Sequence, residues 1–128
     1  MEGSKSLNKY QSANEQIAIK WFAAFNDHNL ENLLELYRQD ARHYSPKLKL
    51  RHPDTNGLIV GKPALRTWWQ DAFERSPQLH YQMTSLTANN ERVFMEYIRQ
   101  VPDEADLNVA EVLEIKDGRI ISSKVYHG

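Results

Sequence analysis

Residues 79–126, LHYQMTSLTANNERVFMEYIRQVPDEADLNVAEVLEIKDGRIISSKVY, decide the fold. Leu79–Thr87, Arg92–Val101, Asn108–Ile115 and Arg119–Tyr126 alternate apolar and polar residues and are rich in β-branched and aromatic side chains, so each reads as a strand. Asn89-Asn90, Pro102–Asp106 and Asp117-Gly118 supply turn chemistry between them. Four successive strands joined this way make an antiparallel meander.

Upstream the apolar period changes from 2 to 3.6. Ser12 and Glu15 have capping-box spacing, and Ile17, Trp21 and Phe25, flanked by Ala18 and Phe22, predict a first helix near 12–26. Asn29 caps a second helix carrying Leu30, Leu33, Leu34 and Tyr37, which breaks near Asp40. A third follows Gly61, with Pro63 in its first turn, Leu65, Trp68, Trp69, Ala72 and Phe73 on its apolar stripe, and Pro77 past its end. Between the second and third, 41–50 alternates loosely as one short strand, and 51–57 reads as a long loop. Residues 1–11 are polar and are expected to form a flexible segment, leaving 12–128 as a single domain. Helices first and a meander after them is an α+β order. Three N-terminal helices packed on a curved, mostly antiparallel sheet give a cone-shaped roll whose interior can hold a ligand.

A chain of 128 residues supports one core, and with no cysteine that core cannot rest on disulfides, nor the chemistry on a thiolate. Sixteen basic against seventeen acidic residues leave a formal charge of -1, which supplies no field for nucleic acid. The first residues hold no signal-like apolar run, and no stretch reaches the length of a membrane span. A soluble, cytoplasmic protein is expected, with neither nucleic acid nor membrane as partner.

Three segments carry a family resemblance: IKWFAAFNDHNLENLLELYRQDARHYSP (19–46), GKPALRTWW (61–69) and AEVLEIKDGRIISSKVYHG (110–128). Together they resemble the nuclear transport factor 2-like superfamily, which includes ketosteroid isomerases and SnoaL-like polyketide cyclases. The resemblance covers nearly the whole chain from the first helix onward. It implies a cone with an internal pocket for a small, partly apolar molecule and no cofactor. Carried over position by position, the isomerase tyrosine falls on Trp21, its general base on Ser45 and its protonated strand aspartate on Glu111. Two of the three have lost the required chemistry, so steroid isomerisation by that route is not expected. The water-activating set of limonene epoxide hydrolase, another relative, falls on Tyr97, Arg99 and Val125, which does not preserve it either.

The resemblance also sets an inward parity: Met95, Tyr97 and Arg99 from one strand, Val109, Glu111 and Leu113 from the next, Ile121, Ser123, Val125 and His127 from the last. A three-residue loop at 116–118, with Gly118 left-handed, preserves that parity. A two-residue turn would flip the last strand, exposing His127 and bringing Lys124 and Tyr126 inside. Counting across 102–106 sets Arg99 close to opposite Glu111, either as a self-satisfied ion pair or as a general base beside an oxygen-binding cation.

Glu111 and His43 are therefore the candidate catalytic residues, His43 because it shares a face with Ser45 and has an ordinary pKa near 6.5. Trp21, Phe25, Ser45, His52, Tyr97, Arg99 and His127 are the candidate ligand-binding residues. Trp21 and Phe25, with Trp68 and Trp69, form either an aromatic wall or simply core. A metal site built from His43, His52, His127 and Glu111 is not expected, because no close pair has ligand spacing. Phe94, Ile98, Ala110 and Val112 fall on the outer sheet face, an apolar set that predicts a homodimer. Two function classes fit these residues: cofactor-independent acid/base chemistry of the isomerase, cyclase, dehydratase or hydrolase type, or noncatalytic small-molecule binding or dimerisation.

Overall fold

In a computed structural model, which describes residues 2–127 and their side chains from Gln11 onward, α1 runs from Glu2 to Asn26. The helix predicted near 12–26 is its C-terminal part, with Ser12 inside the helix instead of capping it. The expected flexible segment 1–11 thus has helical backbone from Glu2, while its side chains before Gln11 and Met1 lie outside the described residues. Ala18, Trp21, Phe22 and Phe25 form one buried stripe and press onto the sheet.

His28, left-handed at φ 52°, ends α1: its N–H donates to the Phe25 carbonyl and that of Asn29 to the Ala24 carbonyl. Asn29 then caps α2 (Leu30–Glu35), accepting from the Asn32 N–H at 3.0 Å. The helix ends earlier than its apolar pattern predicts because Tyr37 opens strand β1 (Tyr37–Tyr44), where the sheet buries it completely.

The chain departs from the expected strand to Leu50 and long loop at 51–57. Ser45 accepts from the Lys47 N–H at 3.2 Å and caps α3 (Pro46–Arg51), with Pro46 in its first turn. A short 3-10 turn (Pro53–Thr55) and strand β2 (Leu58–Val60) follow. The third predicted helix is α4 (Lys62–Arg75), and the meander is β3 (His80–Ala88), β4 (Arg92–Gln100), β5 (Leu107–Lys116) and β6 (Arg119–His127). Sheet order is β2-β1-β6-β5-β4-β3, antiparallel throughout except where β1 runs parallel to β6. The architecture is an α+β cone: helices on the inner face of a curved six-stranded sheet.

The last hairpin resolves the open parity in an unforeseen way. Lys116 pairs with Arg119 across a two-residue turn in which Asp117 and Gly118 both have positive φ, 53° and 76°. Ile115 then pairs with Ile120, but Glu114 pairs with Ser122, so Ile121 is an extra residue in the strand. This bulge cancels the flip. Ser123 and Val125 face the interior as predicted, whereas the inward position assigned to Ile121 belongs to Ile120, which is fully buried. At the far edge of the sheet, Asn26 accepts from the Tyr81 N–H at 2.8 Å and donates to its carbonyl at 3.0 Å, occupying an edge that β3 would otherwise leave open.

Candidate functional site

The cone encloses a cavity of about 430 Å³ between α3, α4, the end of α1 and the inner faces of β1, β4, β5 and β6. Phe25, Trp68, Trp69, Leu79, Tyr81 and Val109 give it apolar walls. Its floor carries two ionisable groups that burial holds neutral.

Glu111 is 2% exposed on the middle of β5. Its expected guanidinium neighbour is absent: Arg99 pairs with Leu107 and Glu111 with Met95, because the β4–β5 hairpin closes four residues nearer its loop than the predicted register. Arg99 instead reaches Glu104 at 3.3 Å, and the proposed Arg99–Glu111 ion pair does not exist. The carboxyl has one partner, the Tyr97 hydroxyl, which donates to Oε1 at 2.8 Å. Oε2 is buried without a hydrogen-bond partner among the described residues. Loss of water pushes the Glu111 pKa up to about 8, and the Tyr97 hydrogen bond only partly opposes this. At neutral pH Glu111 is therefore mainly a carboxylic acid, with a proton to donate from Oε2.

His43, 3% exposed on β1, ends a relay that begins beneath the floor. Trp21 Nε1–H donates to the Tyr37 hydroxyl at 3.1 Å, which donates to Ser123 Oγ at 3.0 Å; Ser123 Oγ lies 2.7 Å from His43 Nδ1. Indole is a donor only, so Tyr37 must pass its own proton to Ser123, whose proton then has His43 Nδ1 as its remaining acceptor among the described residues. This accounting assigns the proton of neutral His43 to Nε2. Desolvation keeps that ring neutral, holding the imidazole pKa down at about 3. The floor thus offers a carboxylic O–H and an imidazole N–H, with no charge on either.

The other predicted site residues divide clearly. Phe25, Ser45, Tyr97, Arg99 and His127 line the cavity with Glu111 and His43. Trp21 does not: it is fully buried behind the floor, its ring centroid 5.8 Å from that of Tyr97, and it belongs to the core. His52 is also outside, exposed and edge-on to Trp68 at 6.1 Å, because α3 turns the chain away at that point. Tyr81, Lys47, Arg51 and Arg75, which line the cavity, were not predicted. The cap-and-proline pair Ser45-Pro46 signals α3, whose i, i+4 spacing brings Lys47 and Arg51 to the same side. Among the described residues, no group of three His, Asp or Glu side chains is placed to hold a metal ion, and no helix is long and apolar enough to cross a membrane.

Residues 18–123 match the SnoaL-like domain. The chain belongs to this family. No curated protein matches it in sequence. Among solved structures, this SnoaL-like chain is similar to a SnoaL-like protein of unknown function from Burkholderia thailandensis, at 22% identity and TM-score 0.83 over 92% of this chain and 96% of that one. It is also similar to a proposed ketosteroid isomerase from Kribbella flavida, at 20% identity and TM-score 0.76 over 92% and 79% of the two chains. A third similar structure, TerC co-crystallised with polyporic acid, has 15% identity and TM-score 0.78 over 91% and 92%. At these identities the likeness shows a shared nuclear transport factor 2-like fold and leaves the chemistry to the residues.

Proposed function

We propose that this SnoaL-like cone binds a small, partly apolar molecule and that Glu111 is the general acid of a cofactor-independent reaction on it, of the isomerase, cyclase, dehydratase or hydrolase type. The observation that carries this reading is the buried Glu111 carboxyl on the cavity wall, with Oε1 held by Tyr97 and Oε2 unpartnered. An acid with a pKa of about 8 holds its proton at neutral pH and gives it up as negative charge develops on a ligand oxygen. The Tyr97 O–H stabilises the carboxylate left behind. His43, donating through Nε2–H, steadies the same developing charge as a neutral electrophile. TerC co-crystallised with polyporic acid supports a cavity of this fold as a small-molecule site.

Native mass spectrometry of protein from its own host, followed by denaturing extraction, identifies the molecule to test. The expected result is one stoichiometric metabolite whose turnover falls about 100-fold or more in Glu111→Gln, which keeps the shape and removes the acid. A metabolite that binds tightly and is recovered unchanged by wild-type protein at every pH from 6 to 9 would overturn the catalytic role. The cone would then be a carrier, a reading favoured by Trp21 and Ser45 at the isomerase positions.

We further propose that two cones pair through the outer sheet face. Phe94 is 42% exposed there, level with Val112 across the β4–β5 pair, and Ala110 pairs with the exposed Tyr126. Sedimentation should show a dimer that Phe94→Asp converts to monomer; a monomeric wild-type protein at micromolar concentration would refute the pairing.

A further inference from the structure

The mouth of the cavity is cationic, and neither the fold nor the floor chemistry explains this. Lys47 and Arg51 come from α3, Arg75 from the last turn of α4, Arg99 from the end of β4 and His127 from the end of β6. One acidic side chain, Glu104, joins them in the cavity lining at the mouth. Asp71 binds Arg75 at 2.7 Å, outside the cavity lining, whereas Arg99 meets Glu104 at 3.3 Å, long for a charge-assisted contact. Lys47 and Arg51 form no ion pair among the described residues. Burial and the nearby Arg99, Arg75 and Arg51 charges hold the Lys47 ammonium below its ordinary pKa, against the pull of Glu104. Burial, Lys47 and Arg99 do the same to His127. Lys47, Arg51, Arg75 and Arg99, from three separate elements, thus bring like charges together where each raises the cost of the others, and His127 beside them is held toward its neutral form.

Such crowding is relieved by an anion placed among them. Solvent could supply that anion, but the position of the group gives it a direction. The cavity they share is walled by the flat rings of Trp68, Trp69 and Tyr81, and the uncharged donors Glu111 and His43 are buried on it almost completely. A ligand with its charge at the floor would lose its hydration without meeting a cation there. A ligand with its charge at the mouth keeps the anion near water and the arginines, buries its body against the aromatic rings, and brings a neutral oxygen to the two donors.

We propose that the natural ligand is an organic anion with a flat apolar body, its anionic head held at the mouth by Arg99 and Lys47 and its uncharged oxygen at Glu111 and His43. This rests on the reading of the cavity as a ligand site, and it adds charge and orientation to that reading. Glu104 acts as the occupant of Arg99 that the head group displaces.

Three probes with one body and different heads test it by calorimetry on the full chain: 2-naphthoate, 2-naphthyl phosphate and the neutral 2-naphthamide. At low salt one or both anions should bind at least about 10-fold tighter than the amide, the factor one charge-assisted hydrogen bond provides. Whichever anion is preferred identifies the head as carboxylate or phosphate. Raising the salt from about 20 mM to about 500 mM should weaken the anions several-fold and leave the amide unchanged. That series uses the unsubstituted protein, so it stands even where a variant fails to fold. Arg99→Gln and Lys47→Gln should each cost the preferred anion about 10-fold and the amide less than about twofold. The amide binding as tightly as both anions, or salt leaving all three unchanged, would sink the anionic assignment while the ligand site stood. No binding by any of the three would sink both together.

Discussion

The floor and the mouth of the cavity both carry ionisable side chains, a carboxyl and an imidazole at the floor and mainly arginine and lysine at the mouth, and they end in different electrical states. His43 and Glu111 lie almost without solvent contact, and burial moves the imidazole down to about 3 and the carboxyl up to about 8, so both are neutral near pH 7. Arg99, with 14% of its side chain exposed, meets Glu104, and the more open Arg75 binds Asp71. Burial sets the protonation state of the floor groups, whereas residue type gives the mouth its cations. The floor groups sit deep, where they are uncharged and undiluted by water, and the mouth groups sit nearer solvent, where their mutual repulsion favours an anion.

The largest effect expected from breaking this arrangement lies beneath the floor. Trp21→Ala removes a fully buried indole and the donor that starts the relay, and should destabilise the fold by about 3–5 kcal/mol in chemical denaturation. Unchanged stability with weakened ligand binding would instead place Trp21 on the cavity wall.

The next effect belongs to Glu111. Its folded pKa, about 8, lies above its ordinary value of 4.5, so the folded state holds a proton that the unfolded chain releases in that window, and stability falls as pH rises through it. His43 is shifted the other way, from 6.5 to about 3, so its contribution is lost as pH falls through that range. Stability should therefore be greatest between about 4.5 and 6.5, where the two slopes oppose each other. From pH 6.5 to 8 the wild type should lose roughly 2 kcal/mol, at about 1.4 kcal/mol per pH unit, while Glu111→Gln stays level. Parallel curves for the two proteins would show that Glu111 is ionised and that floor and mouth are electrically alike.

A smaller effect separates the two floor donors. Ser123→Ala leaves Tyr37 and His43 Nδ1 without their shared partner, and should cost about 1–2 kcal/mol. Nitrogen NMR of the imidazole should show the wild-type ring as the Nε2–H form alone and the variant as a mixture. A mixture already present in the wild type would mean that the relay does not set the tautomer.

Much of this cone is legible in the sequence because its signals are local. Period-2 alternation from Leu79 to Tyr126, the Asn29 cap and the Pro63 start each depend on neighbouring residues, and each is found where the pattern predicts. Tyr37 fits a helical stripe but lies in a strand, since pairing with β6 outweighs one residue's place in a periodic pattern. The cavity lining was only partly legible. Phe25, Ser45, Tyr97, Arg99 and His127 line it as inward parity and family resemblance imply, while Trp21 and His52 do not.

By itself, then, the sequence determined the order of elements and the alternation of the strands, and family resemblance chose the inward face that carries Glu111 and Tyr97. The expected strand after the second helix holds His43 but ends at Tyr44, leaving Ser45 to cap α3. Tertiary structure alone decided what those groups are chemically. The length of the β4–β5 hairpin takes Arg99 away from Glu111, and the bulge at Ile121 restores an inward face that a two-residue turn alone would have reversed. One extra residue inverts every side chain of a strand, and one missing cation leaves a buried carboxyl to the low dielectric around it. Those consequences depend on distance and burial, which appear only when the strands meet.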